Sequence, residues 1–441
     1  MEAAAHLGTY NADLVNDFDN VYPWSHRKLC NVDLTEYSRL YEAGADIEQA
    51  ITAWEGDPDF SYTGENGAVM VYTPAFYMHT EETDEGVLVA IADGELEGWI
   101  KVPRYIGGRY TASDDGNGGL TSVAEVMPIS RVTFANIHKQ AKANNMTLED
   151  LWTYTADTAL MAVEFATLNM QSVIGSGVSS LYRQTETDKP LIAETATNRV
   201  ILPTAFASYA IPGAILDIGT SAGGSQVGHK VVIETQEYPD NTAYQIVVFA
   251  GDPADINTSH FCSIHGLWHT IDAEIGSASG YIGTNGRAHA YYRGRIAYAN
   301  MWRYVLGAYR EKDTGHIWIA HDREEADAYD ALNTSVHIDT GFVLPYVFGE
   351  DGTAPEWGGY INDIHFHKEL PLLPFAKSRG GNSEKPIGDY AYLPISNTTY
   401  HTILLVGCGA FSGANCGRFY GYWLRTSGSS GWSYSALPFL K

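Results

Sequence analysis

Basic side chains are scarce in this sequence. Lys and Arg together number 27 against 53 Asp and Glu in 441 residues, a formal net charge of −26. So acidic a surface repels phosphate backbones and makes nucleic acid a poor partner for most of it. The acidity favours solubility at high local concentration and suits divalent cations, but it names no function. Long apolar runs are also missing. None approaches the ~18–20 residues of a membrane span, and Met1-Glu2 does not open a signal peptide, so membrane insertion is not expected. Cysteine is nearly absent. Cys30, Cys262, Cys408 and Cys416 form no Cys-x-x-Cys pair and are too few for a disulfide scaffold. They read as free thiols of a reducing cytosol. What remains is 45% apolar, enough for a sizeable core and against global disorder. The length suggests roughly two to three domains.

A local absence is more informative. Gly407 to Ser435 reads GCGAFSGANCGRFYGYWLRTSGSSGWSYS, and its 29 residues include no Asp, Glu or Lys. At the chain's average of 53 acidic residues in 441, about three or four would be expected. Seven Gly, six Ser, seven aromatics and two Arg fill it instead. This is the composition of a recognition surface, in which rigid rings give contact area and Ser and Gly adapt their hydrogen bonds. It is equally that of a twisted, Gly-rich terminal hairpin in a β-rich domain.

Along the chain, residues 1–24 read as a lead-in. Ser38–Trp54 suggests a short helix, and Ala68–Tyr77 a strand with Pro74 at an edge or bulge. Thr133–Asn144 has Phe134, Ile137 and Ala141 at helical spacing. A longer helix is expected from Met146, capped by Thr147 and ended by Gly175. From about 186 to 288 the pattern turns to strands (Val200–Leu202, Ala214–Ile218, Val231–Thr235, Tyr244–Phe249) separated by turn residues, which reads as a small all-β domain. Tyr291–Leu306 suggests a strand, a turn and a helix. The fold class expected is α+β.

Several patterns imitate catalytic or metal motifs. Gly219-Thr220-Ser221-Ala222-Gly223 fits G-x-S-x-G, but a nucleophile elbow needs a helix directly after it, and strand-like Val231-Val232-Ile233 follows. His260, Cys262, His265 and His269 are close enough in sequence for a metal, though their spacing matches no standard motif. His365 and His367 would share a strand face. Asp114-Asp115-Gly116-Asn117 and Glu350-Asp351-Gly352 offer oxygens for a structural Ca²⁺ without EF-hand spacing, and ordinary turns are the simpler reading. No cofactor is expected.

Blocks in a fixed order carry a resemblance. They are Tyr22-Pro23-Trp24-Ser25, Arg27 to Val32, Gly56-Asp57-Pro58, Asn66 to Val71, Pro74 to Tyr77, Tyr105-Ile106-Gly107, Trp152 to Gly177, Tyr292-Arg293-Gly294, Asn300-Met301-Trp302, and Leu404 through Gly413-Ala414-Asn415 to Trp432. Together they resemble the C-type-lectin-fold proteins of bacteriophage and prophage tails, which are similar to the major tropism determinant and to formylglycine-generating enzymes. One departure is Ala75, where family members often have Lys.

The resemblance implies a C-type-lectin-type fold built from 25–185 and 289–441, with the small all-β domain at 186–288 inserted between the halves. It implies a receptor-binding, host-adhesion protein in a virion tail, made in the bacterial cytoplasm and acting at the cell surface. Its partners would be a bacterial surface protein or glycan and other tail proteins, and it would form a homotrimer. In some such proteins a diversity-generating retroelement mutates adenines near the 3′ end. Ser412, Tyr422, Arg425, Ser429, Gly431, Ser433 and Tyr434 are residues that mutated AAC codons could leave.

The implied contacts are the outward residues of 408–434. Phe411, Tyr420, Tyr422 and Tyr434 would be apolar anchors, Arg418 and Arg425 would meet acidic groups, and Ser412, Ser427 and Ser429 would give polar contacts. Trp423 and Trp432 would be core supports. The alternatives are a formylglycine-generating-type oxidase using Cys408 and Cys416, or a purely structural virion decoration.

Overall fold

The stretch LWTYTADTALMAVEF is apolar or small on every side, and such a helix belongs inside a core rather than on a surface. A computed structural model describes residues 3–6, 18–83, 86–268, 289–343, 358–367, 370, 372–384, 386–392 and 400–441. In it this stretch is helix α3, Leu151–Phe165, with every residue but Trp152 buried; α1 is Leu34–Glu42 and α2 is Phe134–Ala143. The Asp150 side chain caps α3 by accepting from Thr153 N at 2.8 Å, and Thr153 Oγ1 accepts from Asp150 N at 3.2 Å. The helix starts later than expected because Met146–Leu148 is a strand paired with Pro438–Leu440. It also ends earlier, at Phe165, where Ala166 turns left-handed at φ 52°.

Two acids on α3 lie in the core, and each is paired. Asp157 accepts from Arg27 Nη1 and from the Tyr105 hydroxyl, both at 2.6 Å, and also meets Arg295. Glu164 accepts from Arg293 at 2.7 and 2.8 Å and from the Tyr292 hydroxyl at 2.9 Å. A buried carboxylate without such partners would cost several kcal/mol.

A six-stranded sheet, tied to α3 by the bonds of Arg27 and Tyr105 to Asp157, runs in spatial order Met146–Leu148, Pro438–Leu440, Tyr105–Gly108, Ala68–Thr73, Lys28–Val32 and Ile51–Trp54. Residues from near both ends of the chain therefore share one sheet. A nine-stranded sheet has Trp302–Arg310, Thr402–Val406 and Gly421–Arg425 as neighbours near its middle. The expected helix before Leu306 is absent: Trp302–Arg310 is a strand, buried along its whole length, as its aromatic and branched residues favour. Two other expectations change. Ser38–Trp54 divides into the end of α1, a 3₁₀ turn at Ile47–Ala50 and the strand Ile51–Trp54. Ala68–Tyr77 breaks at Pro74 into Ala68–Thr73 and Phe76–Thr83. Part of the lead-in is also structured, since Ala3–His6 pairs with Leu88–Ile91.

The four strand runs expected near the middle of the chain all form. They lie in a five-stranded antiparallel sheet ordered Arg199–Pro203, Tyr244–Phe249, Gly228–Glu237, Ala214–Gly219 and Phe261–Leu267. This sheet has its own core, including Val200, Leu216, Val247, Phe249 and Ile264. That core also takes in Val178 and Leu181, before the sheet begins, and Ala410 from the C-terminal segment. The architecture is α+β and rich in strand. Among the described residues no helix is long and apolar enough to cross a membrane.

Candidate functional site: the C-terminal face

The 407–435 segment divides into a buried tier and an exposed tier. Its buried tier is built from the strand Gly421–Arg425 and the residues leading into it. Arg418 is 1% exposed. Its Nη2 donates to Tyr154 O at 2.7 Å, its Nη1 to Ala297 O at 2.9 Å and its Nε to Thr158 Oγ1 at 2.9 Å. The guanidinium lies 3.6 Å from the centre of the Tyr154 ring. This corrects the expected outward role: the fork ties the segment to α3 and meets no external acid. Tyr420, 5% exposed, packs edge-on against Trp302 with ring centres 4.7 Å apart. Tyr434, 7% exposed, accepts from Arg425 Nε at 2.5 Å. Neither tyrosine is a displayed anchor. Arg425 is half-buried and committed to Tyr434, and Tyr422 is half-buried between Trp302 and Tyr392.

Gly417 belongs to this tier for a steric reason. A Cβ there would run into the carboxylate of buried Asp389. Without one, Asp389 accepts from Phe419 N at 2.6 Å and from Gln171 Nε2 at 3.0 Å. Burial pushes its carboxyl up to about 7, against the opposing pull of those two donors.

Cys408 and Cys416 are not the free thiols expected. The structure joins them in a disulfide, Cα to Cα 5.5 Å, with both residues fully buried. The bridge closes the loop whose tip is Phe411. Cys30 and Cys262 are free, as expected, and both are buried.

The exposed tier starts at Phe411, which is 51% exposed. Its ring lies 6.0 Å from Tyr182 and 5.8 Å from Trp432, and Tyr182 stacks on Trp432 at 4.6 Å and 18°. Trp423 is a core residue, as expected, whereas Trp432 is half-buried and belongs to this cluster of rings. Backbone bonds hold the cluster in place. Leu181 N and Tyr182 N both donate to Ala410 O, Gly413 N donates to Ser179 O, and Arg131 N donates to Gly431 O. Ser412, Ser427 and Ser429 are half-buried, but the Ser412 hydroxyl oxygen is itself fully buried, which corrects its expected role as an outward polar contact. Ser429 Oγ accepts from Thr426 N at 3.1 Å, closing the turn at 426–429. Sequence reasoning missed Tyr182, because a single Tyr in an irregular stretch carries no periodic signal.

Next to Trp432 lies a polar cluster that the sequence pointed to only through His265. Asp217, fully buried, accepts from His265 Nε2 at 2.8 Å, from Arg131 Nη2 at 2.5 Å and from His229 Nδ1. Burial alone would raise the Asp217 carboxyl, but the two imidazoles outweigh it and hold the group well below the usual carboxylate range. Burial lowers His265 below the usual imidazole value despite its carboxylate partner.

The expected His260, Cys262, His265 and His269 grouping does not assemble. Cys262 and His265 stand three residues apart on one strand and face opposite ways. His260 Nδ1 accepts from Asn257 N, and His269 lies outside the described residues. His365 stacks on Phe342, with His367 edge-on to the same ring. Ser221 sits in an exposed turn followed by the strand Gly228–Glu237, not by a helix. Asp114 and Asp115 accept from backbone N–H groups of their own turn. The Glu350–Gly352 group lies outside the described residues. No family model matches the chain, and no curated protein matches it.

Proposed function

We propose that this protein is a non-enzymatic binding protein whose partner docks on the ring cluster of Phe411, Tyr182 and Trp432 and on the half-buried Ser427 and Ser429 of the same segment. One observation carries the reading: a large aromatic side chain stands half in solvent at the tip of a disulfide-closed loop, on a stacked aromatic base. Exposed rings fixed from beneath gain contact area at little entropic cost, as in binding loops on rigid scaffolds. Single exposed hydrophobics are common. Here the neighbouring rings and the anchored loop turn one into a surface.

Within this reading the chain is a receptor-binding protein of a phage tail with a C-type-lectin-type scaffold, directed at a bacterial surface protein or glycan and assembled as a homotrimer. The contact set becomes Phe411, Tyr422, Ser427, Ser429, Tyr182 and Trp432, with Arg418, Tyr420 and Tyr434 as its supports and the buried Ser412 hydroxyl left out. The oxidase alternative gains the adjacency of Cys408 and Cys416, but both lie fully buried beneath the loop, out of reach of a peptide substrate.

The test is a pull-down from bacterial surface extracts together with a glycan array, comparing the intact chain with Phe411→Ala. Capture by the intact chain that is lost in the variant is expected. Equal capture by both would refute the docking surface. A retroelement origin further requires a near-copy of the 3′ coding region beside a reverse transcriptase in the source genome.

A further inference from the structure

Asp217, His229 and His265 come from three adjacent strands of the five-stranded sheet. Asp217 lies directly opposite His229, and His265 lies opposite Ile215, two residues along the same strand. Cross-strand partners and residues two apart share a face, so the pleat alone projects the carboxylate and both imidazoles to one side. One ligand atom from each lies within 4.8 Å of the others, and among the described residues no other His, Cys, Asp or Glu group does this.

We propose that these three side chains form a binding site for a divalent transition metal of the zinc class. Two imidazoles and one carboxylate are a ligand set that zinc accepts, at about 2.0–2.2 Å from the metal. In a tetrahedral arrangement, ligand atoms then stand roughly 3.4 Å apart. Ligand atoms within 4.8 Å of one another need only small shifts to reach that. Strands fix the donors more tightly than loops would.

Asp217 Oδ2 accepts from Arg131 and from His265 Nε2, while Oδ1 lies beside His229; on metal binding His265 Nε2 exchanges its bond to Oδ2 for the ion, and Arg131 remains to orient the carboxylate. A hydrogen-bonded group behind a ligand is the usual outer support of metal sites. The ion enters past His229, whose side chain is 29% exposed. Trp432 walls the other side, 4.4 Å from the His265 ring. Three protein ligands leave a fourth position for water or for a donor from a bound molecule.

The test is titration of EDTA-stripped full-length protein with Zn²⁺ by calorimetry and with Co²⁺ by visible absorption. One ion per chain is expected. Co²⁺ should also quench tryptophan fluorescence, less so in Trp432→Phe. Removing even an outer support weakens metal affinity about 10–100-fold, so loss of a direct ligand in His229→Ala or Asp217→Asn should weaken it at least that much. His260→Ala, in the same segment but outside the cluster, should bind as the parent does. The half-exposed position of His229 and the matched shape of Asn at 217 keep both variants foldable, which circular dichroism checks. Absence of saturable binding of either ion, or binding that survives both His229→Ala and Asp217→Asn, overturns the site.

Discussion

The two tiers of the C-terminal segment share a composition and differ in almost everything else. Arg418 and Phe411 are seven residues apart in one Gly- and Ser-rich stretch. The first is enclosed by α3 and three hydrogen-bond acceptors, and the second stands half in solvent. The difference lies in what surrounds each residue. With no Asp, Glu or Lys in the stretch, an arginine has no local charge partner. A buried fork of N–H donors can then be satisfied by backbone carbonyls, because all its donors point outward from one plane. The same lack of charge leaves the loop tips dependent on rings and hydroxyls. The segment is therefore part of the frame as well as a surface on it, since Thr402–Val406 and Gly421–Arg425 lie near the middle of the largest sheet.

The comparison breaks most sharply at Arg418. Arg418→Met keeps the bulk but removes three charge-assisted hydrogen bonds and the contact with the Tyr154 ring; Ala297 O keeps Arg303 Nη2 and Tyr154 O keeps the Thr158 hydroxyl, so a loss of about 3 kcal/mol is expected in denaturant unfolding. A change under about 1 kcal/mol would mean that the residue is not enclosed as described. Asp389 offers a second test of the buried tier through pH. Its carboxyl is raised from 3.8 to about 7, so the folded state holds a proton that the unfolded chain has released. Its contribution is fully present below pH 4 and is lost as pH rises through about 7. The shift corresponds to at most on the order of 4 kcal/mol. Unfolding free energy measured between pH 5 and 7.5 should fall for the parent and stay flatter for Asp389→Asn. The depressed Asp217 carboxyl acts in the opposite sense and below that window, its contribution fading only as pH falls beneath about 4.

The sequence made the small β-sheet and α2 legible, because both follow simple periods: Phe134, Ile137 and Ala141 share the buried side of α2 as expected, and the four strand runs all form. It hid the start of α3. Met146–Leu148 has a helical look, yet its partner strand lies almost 300 residues away at Pro438–Leu440, and a long-range pairing overrides local propensity. The outward or inward sense of Arg418, Tyr420 and Tyr434 was hidden for a related reason. Side-chain direction in an irregular segment depends on neighbours such as Tyr154 and Trp302 that the local sequence does not contain. The Cys408–Cys416 bridge and the Asp217, His229 and His265 cluster are likewise products of topology: no motif spacing marks them, and strand pairing assembles the latter.

The exposed tier should give smaller stability effects. Ser429→Ala removes the acceptor for Thr426 N that closes the turn, and a neutral hydrogen bond at a half-buried site is worth about 0.5–1.5 kcal/mol. A thermal scan showing a modest drop in Tm, well short of that for Arg418→Met, is the expected result.

Phe411→Ala should have the least effect on folding and the greatest on recognition. Half of its surface is already in water, and the Tyr182 and Trp432 stack beneath it does not need it to stay together. A surface substitution of this kind changes stability by about 0.5 kcal/mol or less, whereas loss of an aromatic anchor at a binding surface costs about 2 kcal/mol or more in affinity. Unfolding curves that coincide with the parent's, alongside lost capture of the bacterial surface partner, would separate the tiers as the geometry divides them. A Phe411→Ala variant that unfolds as readily as Arg418→Met would place this ring with the frame and remove the distinction on which the binding face rests.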